Sequence, residues 1–467
     1  MKRVGNLYPT MKDPKTAELA IYSGTQHKHH MKEVRRRFLL PDNHTIDPDK
    51  VKREAERFSA GLDTWKPAPL TVKYLHLPGH KDRTLAVPIL TDHMYSWILI
   101  LTIRSVLMRG MHPYCIGSIP GRGLEYGRKA IERWVQHDKH STWFVKLDIV
   151  HYYGHIDRER LKEKFRNIIK DPDVLRQIDL HIDMSKDVVD AEGKRLGEIP
   201  GLPIGTYSAP WFANFYLQDL DHYVTEQLYK TRRGKRQNFV RHYLRNIDDI
   251  LMIGSSQRDL EKAVRAVIEY LKPLGLQIHD NWEIRRIGEM EEVNGEFRLK
   301  TGTCPIDVIG YKFYKSTTTV RGSIYLRTMK CARKIRKDLQ CGRLMLHDAE
   351  SLISRIGWFS HADSKTFTKQ INGIVPLKFI REAISYAAKN GIVGETSVLY
   401  CGPGKRPGSY RVLYGHSGGP ERRGSGVYGH RVGSEDALAG EPAEPDRGGA
   451  GLLAPDRGER SIQLSLF

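Results

Sequence analysis

Phe239-Val-Arg-His-Tyr-Leu-Arg-Asn-Ile-Asp-Asp-Ile-Leu-Met-Ile-Gly254 runs through an apolar-rich segment into two adjacent carboxylates and leaves through a second apolar segment, Ile250 to Ile253. That pattern predicts a β-hairpin with Asp248 and Asp249 at its tip. Two neighbouring acids repel each other and gain nothing from burial. A divalent cation between them and a ligand makes the pair favourable. Asp-Asp also occurs in plain turns, so the reading needs a second feature. It lies about a hundred residues upstream, in Trp143-Phe-Val-Lys-Leu-Asp-Ile149. There Val145, Leu147 and Ile149 fall on one face of a predicted strand, and Phe144, Lys146 and Asp148 on the other. Asp148, Asp248 and Asp249 are therefore the expected catalytic residues and metal ligands of a three-carboxylate site. Two magnesium ions, or manganese in their place, would activate an attacking 3′-hydroxyl there and stabilise leaving pyrophosphate.

Between the two acidic segments lies Gly201-Leu-Pro-Ile-Gly-Thr-Tyr-Ser-Ala-Pro-Trp211. Its glycines would let a backbone approach a ligand closely. Ser208 suits an N-cap and Pro210 a first helical turn, for a helix through Phe212, Phe215, Tyr216 and Leu220. The order of acidic strand, Gly-Leu-Pro loop with helix, and acid-pair hairpin resembles the palm of reverse transcriptases. The likeness is to the bacterial retroelement lineage of group II introns, retrons, diversity-generating retroelements and phage-defence enzymes. Asp148-Ile-Val-His-Tyr-Tyr153 matches the first palm motif, Gly201 to Gly205 the second, and Asn246-Ile-Asp-Asp249 the third. This chain departs from the family at several places. Ala209 stands where a serine is usual, Asn246 where an aromatic residue is, and Ile204 where group II introns carry glutamine.

The resemblance covers about residues 70 to 390 and implies further roles. Tyr153 would lie against the sugar's 2′ position and select deoxynucleotides. Lys81 and Arg83, in Lys81-Asp-Arg-Thr-Leu-Ala-Val-Pro88, would contact the incoming triphosphate or the template. Arg122, in Gly117-Ser-Ile-Pro-Gly-Arg-Gly123, and Gly205 complete the implied nucleotide-binding set. Gly310 and Tyr311, in Ile306-Asp-Val-Ile-Gly-Tyr-Lys-Phe-Tyr314, would form the primer grip. The family often places a lysine after the strand expected at Gly275-Leu-Gln-Ile278. His279, Asp280 and Asn281 follow it here, with Arg285 or Arg286 as candidate substitutes.

The implied fold class is α/β: a right-hand polymerase with mixed α/β fingers and palm, an α-helical thumb and a disordered C-terminal tail. The expected divisions are a basic N-terminal extension (1–69), fingers (70–140), a palm (141–315) with a polar insertion (167–198), a thumb (316–395), a flexible linker (396–460) and a terminal peptide (461–467). The 467 residues carry a net charge of +20, which suits a polyanionic partner. The expected partners are an RNA template, a DNA or RNA primer and a cognate noncoding RNA. His27-Lys-His-His-Met-Lys-Glu-Val-Arg-Arg-Arg37 reads as a solvated or phosphate-facing helix. Arg327, Lys330, Arg333, Lys334, Arg336, Lys337 and Arg343 are expected along one thumb helix. Five cysteines without a C-x-x-C pair imply a reducing compartment. The most apolar stretch, Met94 to Met108, contains Arg104 and is too short to span a bilayer. No signal-peptide core opens the chain, so cytoplasmic residence without membrane contact is expected.

The implied activity is RNA-directed DNA synthesis, in a bacterial or phage retroelement or an antiphage defence system. The competing readings are a non-catalytic RNA-binding scaffold and an RNA-directed RNA polymerase. Finally, Gln463-Leu-Ser-Leu-Phe467 resembles the peptide by which bacterial polymerases bind the sliding clamp. Leu464, Leu466 and Phe467 would fill an apolar cleft and Gln463 would bond at its rim.

Overall fold

The computed structural model describes residues 3–41, 45–75, 83–294, 296–389 and 398–400. At its centre is a five-stranded sheet in the order Thr303–Cys304, Arg285–Ile287, Trp143–Asp148, Asp249–Gly254, His242–Asn246. The strand Trp143–Asp148 runs antiparallel to both neighbours. Period-2 alternation decides what each face covers. Val145, Leu147, Ile250 and Met252 enter the largest apolar core, with the helices Ser208–Tyr216 and Gln257–Leu271. Phe144, Leu244, Leu251 and Ile253 enter a second core, with the helix Leu124–His137 and the hairpin strands Ile306–Val308 and Tyr311–Phe313.

All nine residues of the helix Ser208–Tyr216 are buried. Tyr207 is its N-cap, and the buried Ser208 hydroxyl has no hydrogen-bond partner. The expected serine cap is therefore wrong: the helix starts one residue earlier than a Ser208 cap requires, and Pro210 sits inside its first turn. The apolar helix Leu90–Met108 is likewise buried, with twelve of its residues in the interior. It contains the most apolar stretch of the chain, Met94 to Met108. No described helix is long and apolar enough to cross a membrane.

A second sheet has the order Arg83–Val87, Leu70–Leu75, Val188–Val189, Arg195–Gly197. Its last two strands come from the segment expected to be a polar insertion. That segment also supplies the helix Pro172–Asp183, whose Val174, Ile178 and Ile182 are buried in the main core. It is an integral layer, and its polar average hides an amphipathic period. Gly275 to Ile278 is not a strand. Only Ile278 bridges, to Ile149, with His279 N–H donating to the Asp148 carbonyl. Gly275 adopts φ 70° and ends the preceding helical turn, leaving too few residues for a ladder.

The strand Thr318–Val320 pairs with Tyr311–Phe313, so the small three-stranded sheet extends past the boundary expected at 315. By contacts, residues 1–328 with 355–370 form one unit, and 329–354 with 371–389 and 398–400 belong to a second. Helices dominate from 322 onward: Gly322–Gln340, Leu346–Phe359, Lys365–Ile374 and Leu377–Lys389. Arg343 is not on the cationic helix. Gly342, at φ 71°, stops that helix, and Arg343 opens a strand that pairs with Val398–Tyr400. Those three residues form a strand inside what was expected to be linker. The second unit's Lys334 pairs with Asp348 and Arg343 with Asp338, whereas Lys330, Arg333, Arg336 and Lys337 are exposed and form no ion pair among the described residues.

Candidate active site

The acidic hairpin has a two-residue turn. Asn246 pairs with Asp249, leaving Ile247 and Asp248 between them. Asp249 in turn pairs with Asp148 on the neighbouring strand. The register therefore puts two carboxylates opposite each other at one end of these two interior strands, with the third in the adjoining turn. Burial, then the charge of Asp248, then that of Asp148 push the Asp249 carboxyl up to about 6. Its side chain still reaches solvent, so water screens part of this repulsion. Lys146 and Arg321 oppose the shift. Lys146 lies two residues before Asp148 on the same face, and its ammonium donates to the Asp307 carbonyl at 3.0 Å. Arg321 pairs with the Asp307 carboxylate at 2.6 Å.

A divalent cation would relieve the crowding that raises Asp249. Among the described residues no group of three or more His, Cys, Asp or Glu side chains forms a ready-made cation cage. Mg²⁺ is ordinarily held by one or two carboxylates, with water and substrate phosphates completing its shell. The donor set thus fits magnesium held jointly with a substrate.

Tyr152 and Tyr153 differ in their surroundings. Tyr152 is buried and its hydroxyl donates to the Ala213 carbonyl at 2.6 Å. Tyr153 is half-buried, and burial together with the Asp248 charge keeps its phenol protonated well above the usual range. Behind it lies the Gly201 loop. Gly201 has φ 68°, and a Cβ there would stand 2.0 Å from the Tyr153 carbonyl oxygen. A Cβ on Gly205 (φ 132°) would stand 2.6 Å from the Ala86 carbonyl oxygen, and Ala86 N–H donates to Ile204 at 2.7 Å. The close approaches these two glycines permit include the protein's own backbone, at Tyr153 and at Ala86.

The other expected residues have partners of their own or lie outside the described residues. Arg122 donates to the His112 carbonyl at 2.9 Å. Gly310 sits in a two-residue turn with Ile309, both at positive φ, and a Cβ on it would stand 2.3 Å from the Trp358 ring. Tyr311 is buried and its hydroxyl bonds the Trp358 carbonyl at 3.3 Å. The expected primer grip is thus seated on Trp358 and tied to the Asp148 strand through Lys146. Arg83 opens a strand, and its side chain is outside the description. Lys81 and the peptide residues Gln463, Leu464, Leu466 and Phe467 also lie outside the described residues.

Arg285 and Arg286 pair with Phe144 and Trp143, at the far end of the strand from Asp148. They cannot take the place of the missing lysine. His279 lies nearer, its Nε2 3.8 Å from Asp148 Oδ2. The sequence reading also missed Arg245. In an alternating strand it falls between the buried Leu244 and the half-buried Asn246, and only its unusual burial marks it. Ile247, beside it, has φ 60°, a position costing a β-branched residue about 1–3 kcal/mol.

Comparison with known proteins bears on what this arrangement does. Residues 78–281 match the family described as Reverse transcriptase (RNA-dependent DNA polymerase). The group II intron-encoded protein LtrA of Lactococcus lactis subsp. cremoris is 24% identical over 225 residues, which cover 48% of this chain and 36% of that protein. The chain therefore spans about a third of that relative's length. Among solved structures, apo telomerase from Candida tropicalis is 14% identical, with TM-score 0.41, covering 70% of this chain and 59% of that one. Telomerase from Candida albicans, in complex with a fragment of telomeric RNA, is 11% identical, with TM-score 0.42, covering 70% and 56%.

Proposed function

We propose, from the premise that residues 78–281 are a reverse-transcriptase domain, that this chain extends a primer 3′-hydroxyl with deoxynucleotides on an RNA template. The observation that carries the reading is the register that sets Asp148 opposite Asp249 with Asp248 in the turn beside them. Asp148, Asp248 and Asp249 would hold magnesium ions, which when bound supply charge stabilisation for the 3′-oxygen and the pyrophosphate. Lys146 and Arg321 offset the repulsion among the acids and bind the primer-side hairpin to them. Tyr153 presents its ring where a ribose 2′-hydroxyl would collide with it, so the chain's own packing selects deoxynucleotides. Lys330, Arg333, Arg336 and Lys337 offer uncompensated charge to a phosphate backbone.

The setting that the sequence motifs favour is a bacterial or phage retroelement or defence system. Gln463 to Phe467 would tether synthesis to a bacterial sliding clamp. Titrating that clamp with the terminal peptide, against Leu466→Ala/Phe467→Ala, tests the tether; equal binding by both refutes it. The main test is primer extension on RNA with Mg²⁺ and separate dNTP and NTP pools. Product with dNTPs alone is expected. Product with NTPs alone would make the chain an RNA polymerase, and binding without product a scaffold.

A further inference from the structure

Beneath the acidic turn lies a guanidinium with no contact to solvent. Arg245 and Asp221 are both 0% exposed at their side chains. Arginine has five N–H donors, and here each has an acceptor. Nε and Nη2 clasp the two oxygens of Asp221 at 2.6 and 2.7 Å. The other Nη2 hydrogen goes to the Asn214 carbonyl at 3.1 Å, in the helix that follows the Gly201 loop. Nη1 bonds the Asn214 side-chain oxygen at 3.1 Å and the Ile247 carbonyl at 2.9 Å. The last of these reaches the turn between the strands that carry the acids.

Ile247 is the first central residue of that turn and holds φ 60°, where two-residue hairpins ordinarily use glycine. A residue stays in such a conformation only when its surroundings enforce it. Two groups enclose it. From one side comes Gly117, where a Cβ would stand 2.4 Å from Ile247 Cγ1 and 2.9 Å from its backbone nitrogen. From the other comes Arg245. The same residue's backbone completes the seat: its N–H donates to the Tyr114 carbonyl, and Ile116 N–H donates to its carbonyl. Asn214 then returns to the Gly117 carbonyl through Nδ2 at 2.7 Å. One side chain thereby joins the helix Ser208–Tyr216, the Tyr114–Gly117 segment and the acidic turn.

Stability alone does not account for this arrangement, because buried ion pairs can commonly be replaced by apolar residues without loss. What an apolar pair cannot supply is a donor fixed at the Ile247 carbonyl. We propose that Arg245 is a positioning residue for polymerisation: its guanidinium holds the left-handed Ile247 turn so that Asp248 and Asp249 keep the orientation catalysis needs. This inference rests on the polymerase reading.

The experiment compares wild type, Arg245→Lys, Ile247→Gly and the double variant, in steady-state primer extension and in hydrogen exchange of the 242–254 hairpin. Lysine keeps a charge for Asp221 but not the planar fork. Arg245→Lys should lower kcat about a hundredfold, the scale of an ångström misplacement, with KM for primer–template within about twofold. Exchange at the hairpin should rise. Glycine accepts φ 60° unaided, so adding Ile247→Gly should recover at least about tenfold of the lost kcat, a coupling that a general packing defect would not show. Additive losses, or wild-type kcat in Arg245→Lys, would overturn the proposal. If Arg245→Lys does not fold, the apolar pair Arg245→Met/Asp221→Leu takes its place, and a folded pair variant with wild-type kcat overturns it equally. Should wild type itself make no product, the polymerase reading fails on its own. The exchange data then still decide whether Arg245 holds the turn.

Discussion

Replacing Asp249 with asparagine should stabilise the metal-free protein while ending synthesis. The side chain keeps its shape and loses its charge. The Asp249 carboxyl stands at about 6 against an ordinary 3.8, through burial and through Asp248 and Asp148. A two-unit rise would amount to about 3 kcal/mol in a dry site. Asp249 reaches solvent, so screening reduces this to about 1 kcal/mol. In a domain of this size that corresponds to a Tm increase of about 2 °C. The sign follows from proton linkage. Between 3.8 and about 6 the folded chain binds more protons at this site than the unfolded chain, so wild-type stability falls as pH rises through that window. The asparagine variant escapes that loss. Its advantage should be full at about pH 8 and shrink toward about pH 4.5. Magnesium should reverse the ranking, since a cation that binds only the folded wild type stabilises it by mass action. The assay is thermal unfolding in EDTA and in Mg²⁺ across that pH range, beside primer extension. A variant less stable than wild type in EDTA at high pH, or an advantage independent of pH, refutes the crowding of the three acids.

Three further outcomes are expected. Tyr153→Ala should raise ribonucleotide use relative to deoxynucleotide use by about tenfold or more, read from competing pools in one reaction; an unchanged ratio places sugar selection elsewhere. Gly201→Ala should lose about 1–2 kcal/mol from its left-handed backbone alone and more from the clash with the Tyr153 carbonyl, and should also weaken sugar selection. Gly234→Ala, at φ 69° with open space around it, is the control that shows the backbone cost without the clash. His181 is buried against Trp65, with Nδ1 on the Gln177 carbonyl, and burial lowers it from 6.5 to about 4. The unfolded chain takes up that proton first, so stability should drop by about 3 kcal/mol as pH falls from 6.5 to 4. Urea melts should show His181→Gln losing less over the same range.

The acids were legible because each lies where a period-2 apolar pattern meets a polar end, and that pattern is local. Tyr153 was legible only through the resemblance, whereas the burial of Tyr152 depends on partners such as Ala213, 61 residues away. Arg245 was not legible as a working part. Its significance depends on Asp221 and Asn214, which lie 24 and 31 residues away. The segment from 167 to 198 was misread because its charged residues dominate its average, while Val174, Ile178 and Ile182 supply the face that counts. The glycines at 201 and 205 were recognised as necessary, but not that the protein's own backbone comes close to them. Sequence marks a position that tolerates no side chain without naming the atom that occupies the space.

The sequence by itself determined the three carboxylates, the strands and hairpin that carry them, and the order of motifs, because alternation and turn chemistry are set by residues a few positions apart. Tertiary structure alone decided the register that opposes Asp148 to Asp249, the burial of Tyr152 beside a half-buried Tyr153, and the five bonds of Arg245. Each of these depends on atoms distant in the chain that become neighbours only when the apolar faces close on one another. In that interior every buried donor must find an acceptor wherever the fold has placed one.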